Sequence, residues 1–125
     1  IREAKFLLDN SFFSGSFYLM GYSIECSLKA CIAKQTKEHD FPDLSMVKES
    51  YTHNLVKLLR LSNLETEFES TAKEFPILGI NWSIIKEWSE NSRYTVIIEE
   101  KKARELYNAI TEPEYGVMTW LKKYW

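Results

Sequence analysis

Apolar positions recur along the chain at helical spacing, in runs separated by short polar breaks. The clearest run is Phe17, Gly21, Ile24, Leu28 and Cys31, with steps of 4, 3, 4 and 3. It predicts a helix over 15–33 with a single apolar stripe. Tyr18, Tyr22, Glu25 and Lys29 follow the same rhythm on one flank. Ser16, Leu19, Ser23, Cys26, Ala30 and Ala33 lie on the other side. These are mostly small residues, which let a neighbouring backbone come close, so this helix is expected to be covered on most sides and to sit centrally.

Weaker versions of the pattern surround it. Ala4, Leu7 and Leu8 mark a first helix over 2–8, interrupted at Asp9-Asn10-Ser11, with Ser14 as the expected cap of the next. Residues 34–50 are polar, contain Pro42 and hold no sustained period, which reads as a loop with room for a short helical turn. Ser50 or Thr52 is the expected cap of a helix facing inward through Leu55, Leu58 and Leu59. Leu64, Phe68, Ala72 and Phe75 give another amphipathic segment, ended by Pro76. Residues 76–81 read as a linker, followed by Trp82, Ile85 and Trp88 on one side of a further helix. Ala103, Leu106, Tyr107 and Ile110 mark a helix over 99–110, and Val117, Trp120, Leu121 and Tyr124 a terminal one. The only β-like run, 94–98, is too short and solitary for a sheet. The expected fold is all-α, an antiparallel up-and-down bundle of four to five helices forming one domain over 1–125.

Composition narrows the function classes. Sixteen basic and eighteen acidic residues leave a net charge of −2, so bulk charge does not draw this chain to nucleic acid. With 45% hydrophobic residues the chain can bury a core and is not a disordered segment. Cys26 and Cys31 point about 140° apart on one helix, which excludes a disulfide between them there. Two His and two Cys without ligand spacing give no zinc site, and neither a metal nor a cofactor is expected. The opening Ile-Arg-Glu-Ala-Lys has no signal-peptide character, and the charge-free stretch 10–24 is too short and polar to span a membrane. A cytoplasmic protein with reduced thiols is expected.

Four short motifs occur in a specific order. Gly21-Tyr22-Ser23-Ile24-Glu25-Cys26-Ser27-Leu28-Lys29-Ala30 is followed by His53-Asn54-Leu55 with Leu58-Leu59. Trp88-Ser89 with Ser92-Arg93-Tyr94 comes next, then Ala103, Ala109-Ile110, Gly116-Val117 and Trp120. Over nearly its whole length the chain thus resembles the HEPN family of prokaryotic helical domains. The resemblance implies a helical bundle and a symmetric homodimer. It also implies a partner such as a nucleotidyltransferase or an antitoxin, in a toxin–antitoxin or phage-defence setting. Many family members cut RNA without a metal, through an Arg followed by four to six residues and then a His. No His stands at that interval beyond Arg2, Arg60, Arg93 or Arg104. Lys34 with His39 and Lys48 with His53 have the interval, but Lys lacks the planar fork that grips phosphate bidentately.

The expected function is therefore a non-catalytic module that binds a nucleotide, RNA or a partner protein. The alternative is a metal-independent ribonuclease in which Arg93 and His53 meet in space. Candidate ligand residues are Arg93, Glu25, Lys29, His53 and Tyr22. Arg93 can hold phosphate or pair with Glu87 or Glu90, while Glu25 can meet His53 or Arg93 across the bundle or simply pair with Lys29. Tyr22, with Tyr18, can stack a base or pack.

Overall fold

The computed structural model describes residues 1–35, 41, 43–94 and 97–125. Among them, helices α1 (Arg2–Asp9), α2 (Phe13–Gln35), α3 (Leu44–Ser50) and α4 (Leu55–Leu61) form the first half. Helices α5 (Glu65–Glu74), α6 (Pro76–Ile85), α7 (Glu100–Thr111) and α8 (Val117–Leu121) form the second, with a 3₁₀ turn over Glu90–Tyr94. No strand occurs among the described residues. The expected all-α bundle is the observed fold, more finely divided than the hydrophobic pattern suggests.

Helix α2 is its axis, packing against α1, α4, α7, α8 and the 3₁₀ turn. All five residues of its apolar stripe are buried, together with Met20 and Ile32. On the small-residue side, Ser16 donates from its hydroxyl to the Ala4 carbonyl at 2.8 Å, letting α1 lie close. Cover on that side is incomplete, because Cys26 and Ala33 are exposed. The core continues through Leu55, Leu58, Ile85, Leu106, Ile110 and Leu121, all nearly inaccessible to solvent.

Several boundaries differ from those expected, each for a local reason. The turn between α1 and α2 is closed by Phe12 N–H donating to the Leu7 carbonyl (2.8 Å) and Ser11 N–H to that of Leu8 (3.2 Å). Ser11 takes the left-handed conformation, φ 64°, that such a helix stop requires. Helix α2 therefore begins at Phe13, and Ser14 lies inside it with its hydroxyl accepting from Ile98 N–H at 3.2 Å. The polar stretch 34–50 contains α3, capped by Asp43 accepting from Ser45 N–H; Pro42 and His39 lie outside the described residues. The cap of α4 is Asn54 rather than Ser50 or Thr52, accepting from Lys57 N–H at 2.9 Å. Residues 76–81 are no linker: Pro76 opens α6, where its fixed φ suits the first helical turn and its missing N–H is not needed. Helix α6 stops at Ile85, so Trp88 lies beyond it, its backbone N–H bonded to the Ile85 carbonyl. Residues 95 and 96 of the β-like run lie outside the described residues, and Tyr94 belongs to the 3₁₀ turn.

Trp88 nevertheless reaches the core, 3% exposed, by lying on α2 at Gly21. A β-carbon at position 21 would fall under 3.0 Å from three atoms of the indole. The glycine is a seat for this ring. It joins the segment after α6 to the central helix.

Candidate functional site

One side of α2 carries a buried carboxylate. Glu25 is 1% exposed, and it is held from two directions. Lys29, one turn on, donates from Nζ to Oε1 at 2.9 Å. His53, 28 residues away, places Nδ1 3.0 Å from both Oε1 and Oε2. A carboxylate can only accept, so His53 donates Nδ1–H to it, and Nε2 is the ring nitrogen outside this contact. Both partners are part-exposed while the carboxylate is not, at 34% for Lys29 and 46% for His53. The local sequence explains how His53 is held. Thr52 Oγ1 accepts from Asn54 N–H at 3.1 Å and Asn54 caps α4, fixing the backbone on both sides of the imidazole.

His53 lies at the edge of a polar recess of about 260 Å³, between the start of α4 and the segment after α6. Its far wall is built by Lys86, Trp88, Ser89, Glu90 and Asn91. Ser89 Oγ accepts from Asn91 N–H at 3.2 Å, which orders this wall. On the same chain segment, two buried polar atoms have no hydrogen-bond partner among the described residues, Trp88 Nε1 and Ser92 Oγ, and Ser92 is outside the recess lining. An unmet buried donor costs about 1–3 kcal/mol, and the indole N–H is closed to solvent with its ring laid on Gly21. From Trp88 an aromatic row leads outward. Tyr18 lies 6.2 Å from its ring, and Tyr22 stacks on Tyr18 at 5.9 Å with 15° between planes. Tyr22 is 41% exposed and ends the row at solvent.

Of the five candidates from the sequence, Glu25, Lys29 and His53 form one cluster, and Tyr22 stands on the same helix. Arg93 is not brought into it. Its side chain is exposed, with the guanidinium 4.7 Å from the ring centre of its neighbour Tyr94, beyond the residues that wall the recess. The expected ion pair of Arg93 with Glu87 or Glu90 is also not among the observed salt bridges of the described residues. Lys86 and Asn91 are the site residues that sequence reading missed. Only the turn that folds 86–91 back against α4 reveals them.

No metal-binding cluster of His, Cys, Asp or Glu occurs among the described residues. Among them, no helix is long and apolar enough to cross a membrane. Burial pushes the Cys31 thiol above its ordinary range, against a smaller opposing effect of Lys34. Comparison with known proteins adds no relative: no protein-family model matches the chain, and no curated protein or solved structure matches it significantly.

Proposed function

We propose that this chain is a HEPN-like homodimeric module that binds a nucleotide or RNA at the His53 recess without cutting it. The observation that carries the reading is the recess itself, a polar cavity walled by His53, Asn54, Lys86, Ser89 and Asn91. The aromatic row ending at Tyr22 supports the same ligand class, because an exposed ring stacks any base. The non-catalytic reading is supported by the place of the guanidinium. Arg93 sits over Tyr94 and outside the recess wall, so the imidazole has no planar guanidinium fork beside it to hold a scissile phosphate bidentately. Self-association is supported by Ile77 and Ile80, 51% and 60% exposed on α6, a helix with no charged residue. In this reading the module acts in the cytoplasm, beside a nucleotidyltransferase or antitoxin partner.

One observation favours the enzyme as a second reading. His53 has Nδ1 fixed by a buried carboxylate, which orients Nε2 as an acid or base. Labelled single-stranded RNA incubated in EDTA with the parent protein and with His53→Ala and Arg93→Ala separates the two. The module reading expects the parent to bind and no protein to cleave. Cleavage by the parent, abolished in both variants, would make it a ribonuclease; absence of binding would leave a dimerising scaffold.

A further inference from the structure

The walls of the His53 recess carry one ammonium and several side chains able to donate a hydrogen bond. Lys86 brings an ammonium, Asn54 and Asn91 bring amide N–H groups. The hydroxyls of Thr52 and Ser89 each accept from a backbone N–H, which leaves their own protons to donate. Glu90 is the single carboxylate among the described lining residues. These donors come from two chain segments, 52–54 and 86–91, on facing walls, so they suit a group with several acceptor oxygens pointing in different directions. At about 260 Å³ the cavity is below the roughly 300–1,000 Å³ usual for a whole drug-sized ligand. It fits one small polar group of a larger ligand whose remainder lies outside, toward the row that ends at Tyr22.

We infer that the group the recess takes is a phosphate, with Lys86 rather than Arg93 as its charge partner. The inference rests on the nucleotide or RNA reading proposed above and assigns the part of the ligand that enters. Lys86 reaches the phosphate as a point charge, and the Asn and hydroxyl donors fix its orientation. Arg93, outside the wall, is left to solvent and Tyr94.

The test is calorimetric titration of the full chain with inorganic phosphate, 5′-AMP, adenosine, and one short RNA with either a 5′-phosphate or a 5′-hydroxyl. The proteins are the parent, Lys86→Met and Arg93→Met; both residues are exposed, so the fold should survive either change. AMP or the phosphorylated RNA should bind the parent about tenfold or more tighter than its phosphate-free counterpart. If only the phosphorylated RNA gains, the phosphate enters as a strand end; if AMP and inorganic phosphate gain too, as a free mononucleotide. Lys86→Met should remove that gain, and Arg93→Met should change it by less than about twofold. Equal binding with and without phosphate overturns the inference and leaves the module reading intact. So does loss in Arg93→Met with Lys86→Met unchanged. No binding of any probe by the parent overturns both.

Discussion

Replacing Gly21 by Ala opposes two physical effects of different sign, and the structure says which wins. In an exposed helix interior, Ala is better than Gly by about 0.8–1 kcal/mol, so propensity alone predicts stabilisation. Here the added methyl group would lie under 3.0 Å from three atoms of the Trp88 ring. That ring is 3% exposed and Tyr18 is against it, so it cannot give way without moving the chain between α6 and the 3₁₀ turn. Overpacking of this kind costs about 1–3 kcal/mol, and a clash with a rigid ring belongs at the upper end. Subtracting the propensity gain leaves a net loss of about 2 kcal/mol. For a chain of this size that lowers the thermal midpoint by roughly 5–10 °C. Urea unfolding followed by circular dichroism measures it, and Trp fluorescence should shift to the red as Trp88 is displaced. The double variant Gly21→Ala with Trp88→Leu should recover at least half of the clash term, since the leucine leaves room for the methyl group. A Gly21→Ala protein as stable as the parent, or more so, would refute the idea that Gly21 seats this ring.

The remaining predictions concern the buried carboxylate, a turn and the thiols. Glu25→Gln keeps the shape but removes the charge that Lys29 and His53 share; both partners reach solvent, so the loss should be about 1–2 kcal/mol rather than the 3–5 typical of a stranded buried charge, read by urea unfolding at neutral pH. A loss below about 0.3 kcal/mol would show that the cluster does not hold α4 to α2. Ser11→Gly relieves a left-handed residue at the end of α1 and should stabilise by about 0.5–1 kcal/mol, whereas a neutral or destabilising result counts against the closed turn. Cys26 is exposed, while Cys31 is buried with its thiol pushed up by that burial. A thiol reagent at neutral pH should therefore modify one cysteine at once and the other only on unfolding.

How much of this could be read from the residues differs sharply between elements. The stripe of α2 was legible because five apolar residues at helical steps leave one packing solution, and all five are buried. Leu55, Leu58 and Leu59 were legible for the same reason. Helix α6 was misread because it is apolar on nearly every side, so periodicity gives no face, and Pro76 looks like a stop when it is a start. The cap of α4 was placed too early because Ser50, Thr52 and Asn54 are all competent caps, and only the direction of the backbone selects among them. The Glu25–His53 contact was within reach of the sequence, since an acid beside a core stripe needs a partner and His53 was one of two candidates. The far wall was not. Lys86 and Asn91 bear no periodic relation to His53, and their approach depends on the ring of Trp88 turning back onto Gly21.

The central claim is that a phosphate-bearing ligand enters the recess between His53 and Lys86. The most direct measurement is a ¹H–¹⁵N NMR titration of the chain with 5′-AMP, watching the four Trp indole N–H signals and the backbone amides. The Trp88 indole signal, assigned by its loss in Trp88→Phe, should move furthest of the four, with the amides of His53, Ser89 and Asn91 moving alongside it. Saturable shifts centred on Arg93 and Tyr94, with Trp88 and His53 unmoved, would contradict the account.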